Sequence, residues 1–103
     1  MPILEVSRAW SLSSTGTAKA VNCRYAERLT CTYETSSGCT ATIALQHRQG
    51  SSAGPYSVLS SQALSTGAVT TDQFSGPLEW IRPRVTDMTA GSTHLITVRV
   101  EGN

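Results

Sequence analysis

The stretch LEWIRPRVTDMTAGSTHLITVRVEG, residues 78–102, reads as two extended segments around a turn. In the first arm, 78–86, Ile81, Pro83 and Val85 share one face, and Trp80, Arg82 and Arg84 share the other. In the second arm, 92–100, Ile96, Val98 and Val100 share one face, against Leu95, Thr97 and Arg99. Period two is the mark of a half-buried strand. Asp87, Thr89 and Gly91 carry turn chemistry between the arms. The apolar set is odd-numbered before the turn and even-numbered after it. An even-length loop such as 87–90 then sets Ile81 opposite Ile96, and a slip of one residue opposes apolar to polar. Pro83 has no N–H, so its strand is an edge or leaves a gap in the ladder there.

The same alternation governs residues 29–48. Leu29, Cys31 and Tyr33 face one way before the sequence SSG, and Ala41, Ile43 and Leu45 face one way after it. Both sets are odd-numbered, so a hairpin here needs an odd loop. A three-residue loop, Ser36, Ser37 and Gly38, pairs Tyr33 with Ala41, Cys31 with Ile43 and Leu29 with Leu45. It places Gly38 where such loops take a left-handed residue.

Working outward, residues 3–12 read as a first strand or an extended arm. Leu4, Val6, Trp10 and Leu12 fall on one face, interrupted by Arg8. Residues 17–25 read as a second strand, with Val21, Cys23 and Tyr25 on one face. Residues 56–61 read as a short strand after Pro55, and 65–76 as a loop-rich stretch in which Phe74 plugs the core edge. Short strands at roughly 8–12-residue spacing, with no helical period, predict an all-β fold. The expected form is a single small antiparallel β-sandwich, jelly-roll or Ig-like Greek key, with essentially no helix. Residues 1–16 form its N-terminal strand or arm and 17–103 the sandwich.

Length and composition fit one domain: 103 residues, 15% charged, net charge +1, with 14 Ser and 14 Thr. The balanced charge and single lysine give no electrostatic footprint for nucleic acid. No apolar run approaches the roughly 20 residues of a membrane span. The start MPILEVSRAW lacks the basic and apolar segments of a secretion signal, which predicts folding in a cytoplasm. Cys23, Cys31 and Cys39 are odd in number and sit in strand patterns. In the register above, Cys31 and Cys39 lie beyond the ~7 Å limit between disulfide Cα atoms, so free, buried thiols are expected. Their even spacing lacks the tight pairs of a zinc knuckle, and no metal or cofactor is expected. His47 and His94 stand in no catalytic motif, and Asp72 and Asp87 sit in turn contexts, so no enzyme is expected. The mix of Trp80 with Arg82 and Arg84 is that of protein interfaces. The plainer alternative is a solvated outer face.

With the strands placed, three segments resemble the small β-sandwich capsid decoration, or cement, proteins of tailed bacteriophages and related head or tail surface proteins. These are RLTCTYETSSGCTATIALQHR (28–48), GPYSVLSSQALSTG (54–67) and WIRPRVTDMTAGSTHLITVRVEG (80–102). The resemblance covers residues 17–103 and rests on loose patterns with no catalytic fingerprint. It implies a structural virion protein on the outer capsid surface, made in the host cytoplasm. Its partners would be the major capsid protein and further copies of itself, a trimer in many such proteins. The expected contact residues are Ile3, Leu4 and Trp10 near the start and Trp80, Arg82, Arg84 and Arg99 near the end. The closing strand pair is also similar to carbohydrate-binding sandwiches of the discoidin type. Those would use Trp80, Tyr56 and Arg82 or Arg84 as a glycan platform, on a phage tail fibre or a cell surface. A head–tail connector or tail-tube component is a further alternative, against which stands the lack of any helical period.

Overall fold

The computed structural model describes residues 6–23, 28–67, 69–75, 78–89 and 94–102. Nine strands run β1 (Val6–Leu12), β2 (Gly16–Thr17), β3 (Val21–Asn22), β4 (Arg28–Thr35), β5 (Ala41–Arg48), β6 (Ser57–Leu64), β7 (Val69–Ser75), β8 (Trp80–Met88) and β9 (Ile96–Gly102). They form two antiparallel sheets. Sheet A has the order β1-β9-β4-β7; sheet B has the order β2-β8-β5-β6, with β3 also on β8. No described residue is helical.

The pairing is nested. β5 pairs with β6, β4 with β7, β2 and β3 with β8, and β1 with β9, each pair enclosing the one before. The chain is thus one long ribbon doubled back on itself and rolled. Two further ladders, β4–β9 and β5–β8, knit the rolled ribbon into sheets. Counting β2 and β3 as one interrupted strand gives the eight-stranded jelly roll rather than the Ig-like alternative.

The two predicted hairpins are both corrected by this topology. β4 and β5 lie in different sheets, and so do β8 and β9. Tyr33 pairs with Val98 and Thr70, not with Ala41, and Ile81 pairs with His47 and Val21, not with Ile96. The inward faces are nevertheless those read from the alternation. Leu29, Cys31, Tyr33, Ala41, Ile43, Leu45, Ile81, Val85, Ile96, Val98 and Val100 are all buried in one core. Alternation fixes which side of a strand meets the core, whereas an arch and a hairpin satisfy it equally. Each buried Leu, Ile or Val contributes about 1.5–3 kcal/mol relative to exposure, so this set is the main source of stability.

Other segments also shift. Residues 65–76 contain a full strand, β7, in place of a loop. The expected strand 17–25 is two short pieces instead. The carbonyl of Pro83 accepts the amide of Ala18 at 3.0 Å, so that edge of Pro83 faces the break between β2 and β3. A strand residue points its N and C=O to the same side, and proline has no donor there. The gap predicted at Pro83 is therefore observed. The glycine role also holds: Gly38 has φ +81°, although it turns an arch and not a hairpin. Cys23, Cys31 and Cys39 are free and fully buried.

The sheet ends are tied by side chains as well as backbone. Ser36 donates its amide to the Leu95 carbonyl at 2.9 Å and accepts the Leu95 amide on its hydroxyl at 2.9 Å. Thr35 donates to the Ser65 carbonyl at 2.6 Å, and the Thr40 and Thr89 hydroxyls bond to each other. The Ser- and Thr-rich composition thus serves in part to bind the arches together.

Candidate protein-interaction face

A sandwich can meet a partner by an edge or by a face. Each of its four edges carries a feature that opposes strand addition. On β1, Arg8 stands in register with buried Val100, so a charge lies on the core-facing side of an outer strand. On β7, Asp72 stands in register with buried Cys31 in the same way. On β6, the ladder to β5 slips by one residue at Leu59, a β-bulge. The β2–β3 edge is two residues long on each side of its break. The outer faces of the two sheets carry no such feature.

The two outer faces differ. On sheet A, Arg99 is flanked by Glu101 at 3.8 Å, with both side chains more than half exposed. Glu34 and Thr32 lie on the neighbouring strand. An exposed pair of that kind is worth little, and the face is electrically balanced.

On sheet B, register brings together residues from β8, β5 and β6. Trp80 pairs with Arg48, Arg82 with Gln46, Arg84 with Ala44, and Gln46 with Val58. The Arg82 guanidinium lies 3.6 Å from the centroid of the Tyr56 ring, a stacked cation–π contact. Its Nε donates to Gln46 Oε1 at 2.9 Å, and Gln46 itself is only 6% exposed. Tyr56 is anchored in turn by donating its hydroxyl to the Ser52 carbonyl at 2.8 Å. Arg48 Nη1 donates to the Pro55 carbonyl at 2.9 Å. Two donors on this face, Arg48 Nε and Trp80 Nε1, are buried with no hydrogen-bond partner. Such a donor costs about 1–3 kcal/mol while it remains unpaired. Val58 is 61% exposed beside them.

Of the expected contact residues, Trp80, Arg82 and Arg84 do share one face. Arg99 lies on the opposite sheet. Trp10 is buried in the chain's own core at 6% exposure, where its Nε1 donates to the Lys19 carbonyl at 2.8 Å. Its side chain is therefore occupied within the fold. Ile3 and Leu4 lie outside the described residues. Sequence reasoning missed Arg48 and Gln46. Their even numbering put them on the outward side of β5, but only the β5–β8 ladder sets them beside Trp80 and Arg82.

A second polar cluster lies inside, along the seam between β6 and β7. Asp72 accepts from the Ser60 hydroxyl at 2.8 Å and from the Gln62 amide at 2.8 and 2.9 Å. Burial pushes the nearby Cys31 thiol up to about 11; the Tyr33 hydroxyl opposes that shift and the Asp72 carboxylate adds to it. Burial likewise holds the Tyr33 phenol far above its ordinary range, with Cys31 and Asp72 adding to it. The Tyr33 hydroxyl makes no hydrogen bond of acceptable geometry. Neutral groups held this firmly are poor bases and nucleophiles. Among the described residues no three His, Cys, Asp or Glu side chains gather as metal ligands.

The fold is shared with known proteins. The crystal structure of PirA superposes with a TM-score of 0.59 at 15% identity, covering 90% of this chain and 90% of that one. The SPBc2 prophage-derived protein YomS superposes with a TM-score of 0.58 at 14% identity, covering 99% of this chain and 96% of that one. A Bacillus endospore appendage pilus protein is more distant, with a TM-score of 0.49 at 10% identity over 96% of this chain and 84% of that one. At these identities the likeness is one of fold: a β-sandwich that a prophage-derived protein also has. No family model and no curated protein sequence matches the chain.

Proposed function

We propose that this chain is a non-enzymatic structural protein of a tailed-phage virion that decorates the outer capsid surface and ties neighbouring major-capsid subunits together. The observation that carries the reading is the outer face of sheet B, where half-buried Trp80, Tyr56, Arg48 and Arg82 and exposed Arg84 form one interface-like surface on a fold with blocked edges. The fold it shares with a prophage-derived protein supports the same reading. The mechanism is mass action. A protein that binds only the assembled shell stabilises it by RT ln(1 + [L]/Kd), about 2.7 kcal/mol at a hundredfold excess over Kd. A cyclic homo-oligomer, a trimer in this proposal, would present the same face to several subunits and multiply the effect by avidity. The test is co-sedimentation of the purified chain with capsids that lack it, followed by heating. Occupied shells should survive to a higher temperature, and a chain that never sediments with capsids overturns the proposal.

A second reading, a glycan-binding module, is favoured by one observation: the Arg82 guanidinium is stacked on the Tyr56 ring one outward row from Trp80. It predicts hits on a glycan array that Trp80→Ala abolishes. An array without hits removes it.

A further inference from the structure

The geometry points to an oxyanion-binding site on the outer face of sheet B, with Arg82 as its anchor and carboxylates of an acidic protein segment as its occupant. This deepens the reading above, in which that face meets a neighbouring protein, and names the chemistry the neighbour must present.

The charge pattern comes first. Across β5, β6 and β8 the only carboxylate is Asp87, on the rung with Thr42 that follows the Arg84 row, and Arg48, Arg82 and Arg84 occupy three successive outward rows. Among the described residues the only ion pair is Arg99 with Glu101, on the other sheet. Three guanidinium groups on one face are thus not ion-paired, and Arg48 and Arg82 lie away from Asp87.

Preorganisation comes second. Arg82 is stacked on Tyr56 at 3.6 Å and its Nε is fixed by Gln46 at 2.9 Å. Ring and amide are themselves held, by Ser52 and by burial. A long side chain normally loses rotamer freedom on binding, and here that cost is already met in folding. With Nε engaged, the Nη1–Nη2 edge is the one left to accept a carboxylate in a two-point fork.

The occupant follows from what flanks the arginines. Val58, 61% exposed and in register with Gln46, and the half-buried Trp80 give the cationic site an apolar shoulder. A peptide carrying Asp or Glu among apolar side chains covers both parts. An anionic glycan offers no apolar side chain to Val58.

The test is isothermal titration of the full chain with a copolymer of L-glutamate and L-alanine (hereafter polyglutamate) at low salt, beside dextran sulfate and neutral dextran. Polyglutamate should bind, weaken as salt rises, and bind more tightly than dextran sulfate. Arg82→Lys, which keeps the charge but loses fork and stack, should cost about tenfold in affinity, roughly one broken charge-assisted contact. Arg99→Gln, on the opposite sheet, should stay within about twofold of the parent. Unchanged binding by Arg82→Lys overturns the site, as does an equal loss in Arg99→Gln or no binding to polyglutamate. Tighter, Arg82-dependent binding of dextran sulfate overturns the peptide occupant in favour of a glycan. Capsid co-sedimentation without polyglutamate binding would sink the chemistry alone. Polyglutamate binding without capsid binding would sink the capsid placement alone.

Discussion

The Gln62 side-chain amide reaches both carboxylate oxygens of Asp72, at 2.8 and 2.9 Å, from the opposite sheet. Gln62 lies on β6 and Asp72 on β7, the outer strands on one flank of the sandwich. The contact joins that flank where neither strand has a backbone partner. Hydrogen bonds to a charged group contribute about 1.5–3 kcal/mol. Asp72→Ala should therefore lower unfolding stability by about 2 kcal/mol in urea titration. It also removes the inward charge that discourages strand addition, so the variant should show faster aggregation in light scattering.

Tyr33→Phe carries the opposite expectation. The hydroxyl is buried and makes no hydrogen bond, so deleting it removes a desolvation cost and leaves the ring packing intact. Thermal unfolding should show a midpoint equal to or above that of the parent. Tyr33→Ala, which empties the site, should cost about 3–5 kcal/mol.

The two tryptophans separate fold from binding. Trp10→Ala opens a cavity in the core and strands the Lys19 carbonyl, so it should cost about 3–5 kcal/mol. Trp80→Ala acts on the outer face and relieves a buried, unpartnered N–H. It should lower melting temperature far less than Trp10→Ala while weakening capsid or polyglutamate binding. Calorimetry on both variants, read beside the titration, checks the division.

Alkali should loosen the fold through the thiols. Burial raises Cys23 and Cys31 from the ordinary 9.0 to about 11. Between those values the unfolded chain has released the protons that the folded chain retains. Stability is therefore full below pH 9 and falls as pH rises through 11, by at most about 1.4 kcal/mol per pH unit for each thiol. Urea midpoints measured from pH 8 to pH 11 should decline, and a Cys31→Ser control should decline less.

What the chain discloses by itself is the inward side of each long strand. Ile81, Val85, Ile96 and Val98 were all legible from period two. The partner of each strand was not, because the even or odd count of a loop constrains register only if the loop makes a hairpin. Nothing local tells SSG at 36–38 that it turns between sheets, since Gly38 adopts positive φ in either case. β7 was hidden for a related reason. Its sequence, VTTDQFS, carries its core-facing side on Thr70, Asp72 and Phe74, so a polar edge strand reads as loop. On the outer face Trp80, Arg82 and Arg84 were grouped from one strand alone, whereas Arg48 and Gln46 needed the neighbouring ladder.

The nested pairing has a kinetic consequence. Only β5 and β6 can zip from a nearby turn, across residues 49–56. Every later rung must close a longer loop than the last, ending with Val6 against Gly102. Chain-closure entropy rises at each stage before the next rung compensates it, which places this molecule among the slow, topology-limited folders. The innermost ribbon is where its nucleus has to form.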